Sequence, residues 1–205
     1  GLGNINVLGH QQQARRFTPG YTERHDLLFV GAIHDKESPN LDSLMWFVKE
    51  VLPLLEGKLT EDFKLRICGY IAPELDVKAV LTHPRVEIVG RVNDLQPFYD
   101  THRVFVAPTR FAAGLAYKIH EAAANGLPLV ASHILCAQLG WQAGVDIMEA
   151  ETGNAQDFAL AIEELYKNRP VWEAVRRNAL RRIVQENNAE NYLESLRSIL
   201  TFSKV

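Results

Sequence analysis

Hydrophobic residues recur along this chain in two rhythms. Short continuous apolar runs stand at Asp26-Leu27-Leu28-Phe29-Val30-Gly31-Ala32, Leu65-Arg66-Ile67-Cys68-Gly69-Tyr70, Val86-Glu87-Ile88-Val89-Gly90, Val104-Phe105-Val106-Ala107-Pro108 and Leu127-Pro128-Leu129-Val130-Ala131-Ser132. The first, ending in Gly, suits a strand buried on both faces of a parallel sheet, and the others are read as further strands. A weaker sixth strand is predicted at Val145-Asp146-Ile147-Met148. Between the runs the spacing is helical. Leu44, Phe47, Val48, Val51 and Leu52 mark a helix over 41–55. Shorter helices are predicted over 73–81, with Pro73 near its start, and from a cap at Asp94 through Tyr99. Another runs over 115–124, closed by Asn125-Gly126, and a short one lies around 137–139. After Asn154 the pattern is wholly helical, over 155–166, 171–186 and 189–200.

Strands that alternate with helices form a parallel sheet covered on both faces. Six of them predict one doubly wound, Rossmann-like α/β domain over residues 26–205, with a helical C-terminal end. Residues 1–25 are polar, are interrupted by Pro19-Gly20 and are expected to be a linker, with Ile5-Asn6-Val7-Leu8 a candidate edge strand.

Composition then narrows the class. The chain has 205 residues, 47% of them hydrophobic and 23% charged, as in an ordinary globular protein with a sizeable core. A net charge of -3 with no basic tail argues against a general nucleic-acid binder. The two cysteines, Cys68 and Cys136, are far apart and are best taken as small core residues. No apolar run approaches the roughly 20 residues that cross a bilayer, and Gly1-Leu2-Gly3-Asn4 is unlike the start of a signal peptide. A cytoplasmic protein is the expectation. No Gly-x-Gly-x-x-Gly follows the first strand, which disfavours a nicotinamide dinucleotide.

In an open parallel sheet, ligands bind beyond the carboxyl ends of the strands. The loops after Gly31, Gly90 and Pro108 meet there. The third is the richest: small residues at 112–114 open a helix, Arg110 flanks them, and Lys118 and Glu121 follow on nearly one helix face. Two cations, bare amides and a carboxylate suit a diphosphate carried on a polyol. The same spacing also describes a Lys–Glu pair on the surface of an amphipathic helix. His34 lies in the first loop, within reach of a ligand or free in solvent. His120, next to Glu121, points about 100° away from it and is expected to be structural. Arg176, Arg177, Arg181 and Arg182 form a basic stripe, read as a solvated face or as an attraction to anionic lipid.

The stretch from Ala107-Pro108-Thr109-Arg110 through Lys118-Ile119-His120-Glu121-Ala122 to Gly126-Leu127-Pro128-Leu129-Val130-Ala131-Ser132 resembles the donor-binding half of bacterial GT-B fold glycosyltransferases of the group 1, or family 4, type. Phe29-Val30-Gly31-Ala32, Ser38-Pro39-Asn40, Glu50-Val51-Leu52-Pro53 and Gly90-Arg91-Val92 with Leu95 and Tyr99 follow in the family's order. The resemblance covers about Leu27 to Ile183. It implies transfer of a sugar from a nucleoside-diphosphate sugar to a glycan or lipid-linked acceptor, in surface polysaccharide biosynthesis. It implies that Arg110 and Lys118 hold the diphosphate and stabilise its departure, and that Glu121 holds the ribose. Ala113, Gly114 and Leu115 would offer amides to the donor, Arg91 and Val92 would border the base, and Gly31 would admit the phosphates. It implies no bound metal, in keeping with the absence of an Asp-x-Asp motif. It further implies a separate N-terminal acceptor-binding domain, absent from this chain, and peripheral membrane association of the full enzyme.

The sequence departs from the family at two places. Ala113 stands where the first Glu of the family's Glu-x7-Glu pattern is expected, which bears on retention of anomeric configuration. The first loop offers His34, Lys36 and Asn40 in place of the basic pair many members carry. A non-catalytic nucleotide-binding or docking domain and a nucleotide-sugar epimerase are the alternative readings. The start without Met fits a cut between domains.

Overall fold

The computed structural model describes residues 11–111 and 117–202. The candidate edge strand at 5–8 and the turn residues Ala113, Gly114 and Leu115 lie outside the described residues.

The chain enters the domain through β1 (His25–Val30) and crosses into α1 (Pro39–Trp46). That helix passes through a π turn at Phe47–Val51 into α2 (Leu52–Leu55). The π turn lies just before Pro53, which brings no N–H to the ladder. Then come β2 (Leu65–Cys68), α3 (Val77–Val80), β3 (Val86–Gly90), α4 (Gln96–Thr101) and β4 (His102–Ala107). The second half holds α5 (Tyr117–Ala124), β5 (Leu129–Ser132), α6 (His133–Leu139), β6 (Met148–Ala150), α7 (Ala155–Lys167), α8 (Arg169–Glu186) and α9 (Ala189–Phe202). All six strands pair in parallel in the order β3-β2-β1-β4-β5-β6. This is the doubly wound α/β sheet predicted, with its helical C-terminal end.

Successive residues of each strand feed opposite faces, so the core has two layers. Leu27, Phe29, Ile67, Val104 and Val106 pack under Leu44, Phe47, Phe158 and Trp172. Leu28, Val30, Phe105 and Ala107 pack under Tyr99, Ile119, Ala122 and Ile183. Each fully buried Leu or Phe contributes roughly 1.5–3 kcal/mol.

Three sequence expectations are corrected. The helix expected over 73–81 shrinks to α3, because Asp76 caps it, its Oδ1 accepting from the Ala79 amide at 3.2 Å, while Pro73 sits in the preceding turn. Leu95, not Asp94, is the N-cap of α4, although the Asp94 carboxylate still accepts from the Gln96 amide at 2.9 Å. The sixth strand begins at Met148 rather than Val145, because the preceding residues are spent in a turn. There the Asp146 amide donates to the Gln142 carbonyl, and the Asp146 carboxylate accepts from the Gln142 amide at 3.0 Å and from Arg182 at 2.8 Å.

Residues 11–24 lie against the domain. Arg24 is buried and donates to the carbonyls of Pro19, Tyr99, His102 and Asn125. Burial pulls its pKa down to about 10, and nearby Arg176 adds to that. The basic stripe on α8 is partly committed: Arg176 donates to Thr18, and Arg182 bridges Asp146 and Glu186. Among the described residues no helix is long and apolar enough to cross a membrane.

Gly69 is where the sheet tolerates no side chain. Its φ is +138°, and a Cβ would stand 2.2 Å from the carbonyl oxygen of Gly31. Gly69→Ala is expected to cost about 2 kcal/mol or more, read as a fall of roughly 4–8 °C in Tm for a chain of this size. An unchanged Tm would show that the two loops separate freely.

Candidate active site

β1 and β4 are neighbours, yet the chain leaves them in opposite directions. The helix after β1 packs on one face of the sheet, and the helix after β4 on the other. Their first turns therefore meet at the carboxyl ends of the two strands, the switch point whose crevice is the usual ligand position in such sheets.

Lys118, in the first turn of α5, reaches across this crevice. Its ammonium donates to Asn40 Oδ1 at 2.8 Å and lies 4.8 Å from the centroid of the Phe29 ring. Asn40 is itself fixed, its Nδ2 donating to the Ala32 carbonyl at 2.8 Å. Gly31 makes this nest possible, because a Cβ there would lie 2.9 Å from both Asn40 Nδ2 and Phe29 Cε1. Among the described residues no carboxylate pairs with Lys118. The residue is only partly buried as a whole, but its ammonium is shielded, and that burial pulls its pKa down to about 8.

Arg110 is placed elsewhere. Its guanidinium grips the Asp42 carboxylate with two nitrogens, the Nε–Oδ2 distance being 2.8 Å, and lies 6.0 Å from the Trp46 ring. The hydrogen bonds to Asp42 hold its pKa up. It lines an open hollow of about 530 Å³ together with Met45, Trp46, Lys49 and His83. So α1 takes one cation with Asn40 and the other with Asp42. Residues two apart on a helix face apart, and the two predicted phosphate ligands are correspondingly separated.

Glu121 is partly buried one turn further along α5. The Tyr99 hydroxyl, on a residue only 1% exposed, lies against the Glu121 carboxylate. Burial, and then the neighbouring carboxylate, push the Tyr99 pKa up. Arg91 is exposed and Val92 partly buried just after β3, where the Gly69 amide donates to the Gly90 carbonyl at 2.9 Å. His120 packs edge-on against Trp141. Cys68 and Cys136 are buried, which pushes their thiols up to about 11 and about 12. Among the described residues no three His, Cys, Asp or Glu side chains converge on a metal position.

Sequence reasoning placed Lys118 and Gly31 in the site but made Asn40 only a substitute for a missing basic pair. It quoted Tyr99 as part of a pattern, without a role. The one available signal was the order Gly31, Asn40, Lys118 along the three segments that meet at the crevice.

The sequence profile of the family described as glycosyl transferases group 1 matches residues 24–168. The chain belongs to that family. Comparison with curated proteins gives no match. Among solved structures, Anabaena HepE in complex with UDP and glucose aligns with a TM-score of 0.67 at 14% identity, over 88% of this chain and 49% of that one. Sucrose-phosphate synthase from Thermosynechococcus elongatus gives 0.71 at 16%, over 96% and 51%. The C-terminal domain of a group 1 glycosyl transferase, LpcC from Francisella tularensis, gives 0.61 at 13%, over 84% and 89%. The fold is that of the C-terminal Rossmann-like domain of GT-B glycosyltransferases. The chain spans about half the length of the first solved structures it matches, 49%, 47% and 50% of them.

The depressed pKa of Lys118 has a sign that can be checked. The folded chain binds this proton less tightly than the unfolded one, so between pH 8 and 10.5 the unfolded state holds more protons and this group's contribution to stability rises with pH. Lys118→Met is expected to raise the Tm of the ligand-free chain at pH 7, with the gap to the unsubstituted chain narrowing above pH 8. A variant less stable at pH 7 would mark Lys118 as a structural cation.

Proposed function

We propose that this chain binds a nucleoside-diphosphate sugar and forms the donor half of a glycosyltransferase. The observation that carries the reading is Lys118: a shielded ammonium at the carboxyl ends of β1 and β4 whose described partners are a neutral amide and a ring. A buried cation without a counter-ion is costly, and an anion brought by a ligand removes that cost. The solved HepE complexes hold UDP with glucose and UDP-glucose, which supports a donor of that chemical class here.

In the proposed reaction the bond between the anomeric carbon and the β-phosphate oxygen breaks through an oxocarbenium-like transition state. Negative charge gathers on the departing diphosphate, and Lys118, at the start of α5, stabilises it. Glu121 accepts from the ribose hydroxyls, and Arg91 and Val92 border the base. Arg110 joins the phosphates by exchanging Asp42 for them. These cations do the work of a bound metal, so none is part of the proposal. A second domain supplies the acceptor, which we take to be a glycan or lipid-linked sugar of a bacterial surface polysaccharide assembled on the cytoplasmic side.

Calorimetric titration with UDP, GDP and their sugars tests this reading. Lys118→Ala is expected to weaken binding by about 1.5–3 kcal/mol, as for a lost hydrogen bond to a charged group. Affinity is expected to fall as pH rises through about 8, where Lys118 loses its proton. The isolated chain is expected to bind the donor but not transfer its sugar. Absence of binding by every nucleotide tried overturns the proposal.

A further inference from the structure

The loops after β1 and β2 continue side by side past the ends of their strands. Ile33 pairs with Ile71 in a parallel bridge, the Ile33 amide donating to the Tyr70 carbonyl at 2.7 Å and the Ala72 amide to the Ile33 carbonyl at 2.9 Å. Ile33 turns inward into the core. Its neighbour His34 and the neighbour of Ile71, Tyr70, lie outside and face each other, with ring centroids 5.3 Å apart and planes 36° from parallel. His34 is exposed and Tyr70 is 39% exposed. On the strand side of each ring the loops carry the small residues Gly31, Ala32 and Gly69. Two flat rings therefore stand open on a backbone that close approach at Gly69 makes stiff.

Their position limits what they can hold. Neighbouring strands lie about 4.8 Å apart. The Lys118 nest sits at the end of β1, Tyr70 one strand away at the end of β2, and Arg91 two strands away at the end of β3. A diphosphate neutralised at Lys118 would thus carry its base over the tip of β2. An aromatic ring offers a base a π-face whatever the base's hydrogen-bonding pattern.

We infer that the His34–Tyr70 pair is the stacking platform for the nucleobase of the donor. The inference rests on the donor-binding reading and adds to it the residues that hold the base by its face. Stacking tolerates any base, so the platform contributes affinity for nucleotides over bare diphosphate. Choice among bases falls to the edge contacts near Arg91 and Val92.

The test compares UDP and GDP with inorganic pyrophosphate, which has no base, by calorimetry on the 205-residue chain. Tyr70→Ala is expected to weaken both nucleotides about 5- to 150-fold, the range for one lost base–aromatic stack, and to leave pyrophosphate unchanged. Tyr70→Phe keeps the ring and is expected to stay within about twofold of the unsubstituted chain. A second readout needs no variant: nitration by tetranitromethane, mapped by mass spectrometry, should be blocked at Tyr70 by UDP but not by pyrophosphate. If the unsubstituted chain binds nucleotides and Tyr70→Ala binds them equally well, or UDP leaves Tyr70 open to nitration, the platform is overturned and donor binding stands. If the unsubstituted chain binds neither nucleotide nor pyrophosphate, both fall.

Discussion

The molecule is organised around the gap between β1 and β4, where the strand order reverses. Right-handed crossovers carry the chain from β1 to one face and from β4 to the other. The first turns of α1 and α5 therefore start above adjacent strands and lead to opposite faces of the sheet. Asn40 comes from one helix and Lys118 from the other, and they meet only because the gap is narrow. Gly31 at its floor carries no Cβ, which is what allows Asn40 and Phe29 to close around the ammonium.

Two buried cations show how differently this fold treats charge. Arg24 is surrounded by four backbone carbonyls that use its fork of donors, and it fastens residues 11–24 to the domain. It is a structural group with little left to offer. Lys118 has three ammonium protons, and the described structure gives it one hydrogen-bond acceptor and one ring face. The first arrangement is satisfied by the protein alone. The second leaves ammonium protons for an oxyanion to take, which is why the proposed donor site is centred on Lys118 rather than on Arg24.

Much of the fold was legible because the central strands β1, β4 and β5 are buried on both faces and therefore spell themselves as apolar runs. Leu27 to Val30 and Val104 to Ala107 could be found without knowing their neighbours. What depends on a single polar side chain was harder to see. Asp76 shortens α3 by capping it late, and Asp146 holds a turn where alternating residues suggested a strand. The site was half legible for a related reason. The spacing of Lys118 and Glu121 is a local property of one helix. The partner of Lys118 is 78 residues away and that of Arg110 is 68 residues away, so neither pairing leaves a local signal. Tyr99 is further still from being readable, since its hydroxyl is buried against Glu121, 22 residues along the chain.

The contrast between Arg110 and Lys118 follows from the same helix. Asn40 and Asp42 are two residues apart on α1, so one faces the crevice and the other turns toward Trp46. The Arg110–Asp42 pair is well aligned but partly exposed, and exposed ion pairs contribute only about 0–1 kcal/mol. Exchanging Asp42 for a diphosphate oxygen therefore costs little, and the more highly charged ligand competes well for a bidentate guanidinium. Lys118 has no such choice, because it sits in the crevice whether or not a ligand is present. In the proposed site one cation would define where the phosphates go, and the other would follow them once they are there. In the proposed site, that division would let a loop lacking the family's basic pair still bring two positive charges to a leaving diphosphate.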